Sequence, residues 1–136
     1  MINFNYETEF HLSDEQLISS WIISAINSEK HQLEEINYVF CDDDYLHKLN
    51  VEFLNHDTLT DIISFDYSIG KIIQGDIFIS IERVKDNAKD FNVVFNEELN
   101  RVIIHGVLHY CGYKDKTETD AKLMREKEDY YLSQLQ

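Results

Sequence analysis

Glu98, Arg101, His105 and His109 recur at intervals of three and four along Asn96 to Cys111, a stretch whose other positions are mostly apolar, so they share one narrow helical stripe. A polar stripe on a helix otherwise built for a core calls for a chemical reason. Two histidines four residues apart project the same way from successive turns, and both imidazoles can then reach one ion at about 2.0 to 2.1 Å. Gly112, three residues after His109, can adopt the left-handed conformation that ends a helix and turns the chain back, which brings Asp115 towards the same ion. Two neutral imidazoles and one carboxylate leave a position open on zinc, as in a catalytic rather than a closed structural site. Water at such a position ionises near neutral pH. The expectation is one divalent ion per chain, zinc first with other divalent metals left open. Its ligands are His105, His109 and Asp115 at the C-terminal end of a central helix, and its use is hydrolysis. The bland counterpart has Asp115 capping the last helix and both histidines packed as ordinary core residues.

Zinc proteases with this spacing place Glu directly after the first histidine as general base. Here that position is Gly106. Glycine cannot take a proton, so peptide hydrolysis by the usual route is disfavoured unless a base comes from elsewhere.

The elements that must position these residues follow from periodicity and capping. Ile2 to Tyr6 alternates apolar and polar and predicts a strand. Ser13 to Gln16 has capping-box spacing, and Leu17, Ile18, Trp21, Ile22 and Ala25 follow at helical intervals, which predicts a helix over 14–28. Ile36 to Cys41 predicts a strand that runs into Asp42, Asp43 and Asp44, acids suited to capping a helix from Asp43 to Phe53. Asn55 to Thr58 predicts a loop. Asp61 to Tyr67 and Ile72 to Ser80 predict two strands whose short connection makes an antiparallel hairpin. An amphipathic helix over 81–91, a more apolar one over 96–111 and a last helix over 119–135 complete the chain. The fold class expected is α+β, with helices packed on a small mixed four-stranded sheet and about five helices in all.

The chain has 136 residues, the size of one domain, and no repeat, linker or proline-rich tract divides it, so a single domain over 1–136 is expected. Met1 to Phe10 lacks the basic start and apolar core of a signal peptide, and no apolar run is long enough for a bilayer, so no membrane partner is expected. Cys41 and Cys111 have no CxxC partner and read as buried reduced thiols, which suits the cytoplasm. A net charge of −14 repels nucleic acid unless the few Lys and Arg gather on one surface; composition alone therefore speaks against a nucleic-acid partner.

The string His105-Gly106-Val107-Leu108-His109-Tyr110-Cys111-Gly112-Tyr113 resembles the YbeY family of bacterial metal-dependent endoribonucleases, whose signature is a His-Gly-x-Leu-His-x-x-Gly-Tyr helix end. The likeness extends to Leu49-Asn50, to Thr60 through Phe65 and to Gly75 through Ser80, and so covers most of the chain in order. It implies a small mixed sheet flanked by helices, and single-strand RNA cleavage in maturation of small-subunit ribosomal RNA and in ribosome quality control. The implied partners are ribosomal RNA and small-subunit ribosomal proteins, with no DNA. Three departures stand out. Asp115 replaces the family's third histidine, Asp66 replaces its proline after Ser-Phe, and Leu54 stands where many members carry an arginine suited to phosphate. Charge at the scissile phosphate must then be met by the metal and by a cation such as Arg101, Lys71 or Lys114. Under this reading Ser64 and Thr60 line the groove as hydrogen-bond donors to phosphate, Ser64 counting with the catalytic residues; as hydroxyls flanking a strand they are equally at home in a structural role. Glu98 and Arg101 stand as candidates for orienting the histidines, or as a plain surface ion pair. The alternatives left open are an assembly factor whose metal is structural, and a protease-like zinc hydrolase.

Overall fold

The computed structural model describes residues 1–54 and 60–135; the expected loop at Asn55 to Thr58 falls outside them. Nine elements follow one another: β1 (Ile2–Tyr6), α1 (Glu15–Ser28), β2 (Gln32–Cys41), α2 (Asp43–Leu54), β3 (Ile62–Asp66), β4 (Ile72–Ser80), α3 (Ile81–Phe91), α4 (Phe95–Tyr110) and α5 (Glu118–Gln134). The sheet order is β1-β2-β4-β3. β1 and β4 both run parallel to β2, and β3 closes an antiparallel hairpin with β4. The mixed four-stranded sheet and five helices are the α+β architecture that the sequence implies.

Boundaries fall within a few residues of expectation, and the differences have physical causes. β2 begins at Gln32 rather than Ile36, because Gln32 and Leu33 already pair with Ile72 and Ile73. The cap of α1 is Asp14, whose carboxylate accepts from the Leu17 amide at 3.0 Å, one position inside the Ser13 box. Leu17 consequently points outward and is half exposed instead of joining the core stripe. Asp42 does cap α2, accepting from the Tyr45 amide at 2.9 Å. Cys41 is buried as expected, whereas Cys111 is only half-buried.

Alternation within the strands sorts side chains onto two faces. Ile36, Tyr38 and Phe40 of β2 join Ile73, Ile77 and Ile79 of β4 under α1 and α4, which forms the main core. On the opposite face Cys41, Leu46 and Ile63, with Phe65 and Phe78 against them, form a smaller cluster beneath α2. α4 is the central helix: nine of its sixteen residues are buried, and it packs on α1, α3, α5, β3 and β4. Gly106 lets it lie close to the sheet. A Cβ there would sit 3.0 Å from Ile77 Cδ1 and 3.2 Å from Ile62 Cδ1. Tyr110 fixes the end of the helix, its hydroxyl donating to the carbonyls of Phe65 at 2.9 Å and Asp76 at 3.1 Å in space left by Gly75. No described helix is long and apolar enough to cross a membrane.

Candidate metal centre

The polar stripe of α4 emerges where the helix leaves the core. After Tyr110 the chain turns through Gly112, whose φ of +102° is the left-handed geometry that favours glycine, and returns as Tyr113 to Asp115. The turn brings three donor atoms together. His105 Nε2 and His109 Nε2 are 2.9 Å apart, and Asp115 Oδ2 lies 3.2 Å from the first and 3.4 Å from the second. Donors bound at 2.0 to 2.1 Å to a tetrahedral ion are separated by about 3.3 Å, so these spacings are those of three corners of one coordination shell. Among the described residues this is the one group of three such side chains placed to hold an ion.

The other ring nitrogens decide which atoms are free to ligate. His109 Nδ1 lies 2.9 Å from the Tyr113 carbonyl, which only accepts, so Nδ1 carries the hydrogen. His105 Nδ1 lies 2.6 Å from Glu128 Oε2 and donates likewise. With both Nδ1 atoms protonated, each neutral ring turns a bare Nε2 lone pair towards a carboxylate oxygen. Three such acceptors at van der Waals distance or closer repel unless a cation or an extra proton sits between them. The donor set therefore fits a divalent ion with histidine and carboxylate preferences, zinc included.

Glu128 is the residue that sequence reasoning missed. It sits on α5 between buried Met124 and Tyr131, spaced by four and three, so a polar side chain at a core position was the available signal. Arg101 spends its guanidinium on α5, with Nη1 3.0 Å from Glu128 Oε1 and Nη2 2.8 Å from Asp129. It holds the carboxylate that holds His105. Burial opposes protonation of His105, but the Glu128 hydrogen bond and charge, with Asp115 and Asp61 nearby, outweigh it and raise its pKa above the usual histidine range.

Beside His105 opens a cleft of about 410 Å³ whose walls include Asp61, Glu98, Arg101, Arg125 and Glu128. Desolvation is the main cause that pushes both Asp61 and Glu98 above the ordinary carboxylate range, and the charge of Asp61 adds to it at Glu98. Arg125, more than half exposed, is a cation at this mouth that the sequence reading passed over. The remaining candidates are placed differently. Ser64 is half-buried on β3, paired with Ile77 on the sheet face that carries α4. The Thr60 hydroxyl donates to the Ile62 carbonyl at 3.2 Å, and Lys114 is exposed on the turn before Asp115. Leu54 ends α2 with its side chain 42% exposed, presenting no cation there.

Comparison with known proteins agrees in kind. The family model described as Endoribonuclease YbeY matches residues 2–136. A curated relative of that name from Flavobacterium johnsoniae is 69% identical over 129 residues, covering 95% of this chain and 93% of its own. Another, from Flavobacterium psychrophilum, is 62% identical and covers 97% and 94%. A Thermotoga maritima protein solved in solution superposes with a TM-score of 0.71 at 26% identity, over 99% of this chain and 89% of that one. A match that spans the fold, the histidine pair and the turn behind it leaves one assignment: this chain belongs to the endoribonuclease YbeY family.

Proposed function

We propose that residues 1–136 act as one metal-dependent hydrolase domain, an endoribonuclease that cuts single-stranded RNA in maturation of the small-subunit ribosomal RNA. The convergence of three donor atoms from His105, His109 and Asp115 carries this reading, together with the family to which the chain belongs. Zinc is the proposed ion, and the bacterial cytoplasm, with ribosomal RNA and small-subunit proteins as partners, the proposed setting.

A divalent ion held there supplies Lewis acidity towards a phosphate oxygen and acidity to bound water. The chain's own groups do the rest. Glu128 and the Tyr113 carbonyl hold the imidazoles in the ligating tautomer. Arg125 at the cleft mouth offers charge to an RNA phosphate, the part first assigned to Arg101, whose guanidinium already serves two carboxylates. Ser64 and Thr60 remain proposed hydrogen-bond donors to substrate, and Lys114 a proposed phosphate contact from the turn. Asp61, half-buried in the wall and bonded by Asn87 at 3.4 Å, is a further acid–base group within the cleft.

Gly106 speaks against the protease alternative on packing grounds. Its Cα faces Ile77 and Ile62, so a glutamate at that position would be driven into the sheet and away from the ion.

The test is cleavage of a single-stranded RNA by highly purified, zinc-loaded protein beside its His109→Ala variant. Cleavage that needs both zinc and His109 is the expected result. Background cleavage from both proteins, with zinc raising only the melting temperature, would leave the metal a structural part and overturn the nuclease reading.

A further inference from the structure

Glu98 is the residue that the metal centre leaves unexplained. It is only 5% exposed, yet among the described residues its carboxylate makes no hydrogen bond and no ion pair, and it forms part of the wall of the cleft beside His105. Its oxygens open onto the cleft and are not sealed in the core, so whatever enters the cleft meets an acceptor to which no described group of the chain donates. The cleft has the size of a small-molecule site, within the usual range of about 300 to 1,000 Å³. Beside the charged groups already named, its walls carry an apolar part, Ile62, Val102, Met124 and the ring of Phe91, which is 58% exposed.

We propose that this cleft seats a guanine base of the RNA, with the Glu98 carboxylate accepting from guanine N1–H and the 2-amino group and Phe91 lying against the base. The proposal rests on the RNA reading above and names the base which that site selects. The choice follows from donor patterns. On its pairing edge guanine alone sets two N–H donors side by side, the match for the two oxygens of a carboxylate. Adenine and cytosine place a ring acceptor beside the amine, and uracil flanks its one N–H with two carbonyls, so each would set lone pairs against Glu98. Single-stranded RNA is read in this way, by unstacked bases laid on aromatic rings and bonded along their edges.

Spacing along α4 agrees with one nucleotide bridging the two sites. Glu98 and His105 are seven residues apart on the same stripe, an axial separation of about 10 Å at 1.5 Å per residue. That is the scale of a nucleotide from its phosphate to the far edge of its base. Arg125, at the mouth, is placed for the neighbouring phosphate.

The experiment is titration of zinc-loaded protein with guanosine, inosine, adenosine, cytidine and uridine 5′-monophosphates, followed by calorimetry or by NMR shifts. Inosine lacks only the 2-amino group, so the comparison does not depend on any variant folding. Guanosine monophosphate is expected to bind roughly tenfold more tightly than inosine monophosphate, a discrimination typical of a good bidentate contact, and Glu98→Gln should erase the difference while zinc stoichiometry stays at one. Equal binding of the two by the wild-type protein overturns the proposal, as does a preference that survives Glu98→Gln. A second zinc equivalent lost in Glu98→Gln also overturns it, since the carboxylate would then serve an ion. RNA cleavage measured alongside separates the two readings: a guanine preference without cleavage refutes the nuclease, and cleavage without the preference refutes only the base pocket.

Discussion

The Glu128 carboxylate binds His105 Nδ1 at 2.6 Å with one oxygen and the Arg101 guanidinium at 3.0 Å with the other, so the last helix aims an imidazole carried by the central one. Partners of this kind fix the tautomer and orientation of a ligating imidazole and raise its basicity. Glu128→Gln keeps the shape but removes the charge. Its zinc affinity, read by competition with a chromogenic chelator, is expected to fall by about 10- to 100-fold with the fold retained. Affinity equal to that of the parent would show that Glu128 only packs.

Asp115 is the proposed ligand on the turn, and its exchange separates geometry from charge. Asp115→Ala removes a donor and should come through gel filtration with well under one zinc per chain by elemental analysis. Asp115→His offers a nitrogen from the same position and should keep the ion. If Asp115→Ala holds zinc as firmly as the parent, the three-donor centre is wrong.

Glu98 carries a cost in stability that its replacement should reveal. Desolvation first, and then the nearby Asp61 charge, raise its pKa in the folded chain. The folded state therefore binds this proton more tightly than the unfolded one, and the contribution is favourable at low pH and is lost as pH rises through the folded value. At pH 7 the ionised group is a net penalty. Glu98→Gln is expected to raise the melting temperature by a few degrees at pH 7, with the gain shrinking as pH falls below about 4, where protonation becomes complete in both states. A fall in melting temperature at pH 7 would contradict this.

Glu29 should behave in the opposite sense. Burial alone would raise it, but hydrogen bonds from the Tyr131 and Tyr113 hydroxyls and the Lys127 ammonium outweigh burial and hold its pKa below the ordinary glutamate value. Its stabilisation is present above the unfolded pKa and is lost as pH falls through the folded one. In thermal melts Glu29→Gln should be less stable than the parent at pH 7, and the two curves should converge in acid. Parallel curves across the acid range would rule the linkage out.

Gly75 leaves room for the Tyr110 hydroxyl, and a Cβ there would collide with that oxygen and with the Phe65 carbonyl. Gly75→Ala should cost about 1 to 3 kcal/mol, the usual range for an overfilled core, measured as a shift of the urea midpoint. A midpoint within error of the parent would mean that the hairpin moves aside freely.

What could be read from the chain followed range in sequence. The stripe of Glu98, Arg101, His105 and His109 is a matter of helical period, and the bend at Gly112 one of backbone freedom; both are local and visible in the order of residues. The sheet and helices were legible for the same reason. The contact between Glu128 and His105 spans twenty-three positions and depends on how α5 lies across α4, which no local pattern encodes. Cleft walls are similar: Asp61 and Arg125 meet beside His105 only after the hairpin and the last helix have packed. The charge of −14 pointed away from nucleic acid, against the family to which the chain belongs, and the cleft repeats that sign, with Asp61, Glu98, Asp115 and Glu128 set against Arg101 and Arg125.

The anchoring of Tyr110 has a kinetic corollary. Two of the proposed ligands ride on a helix whose last turn is tied to β3 and β4 through that hydroxyl, while the third sits on an exposed turn beyond a left-handed glycine. Two of the three donors are therefore anchored and one is not. Were an ion held by all three, its release would be expected to begin at the Asp115 arm, with the imidazole pair left behind as a two-point seat.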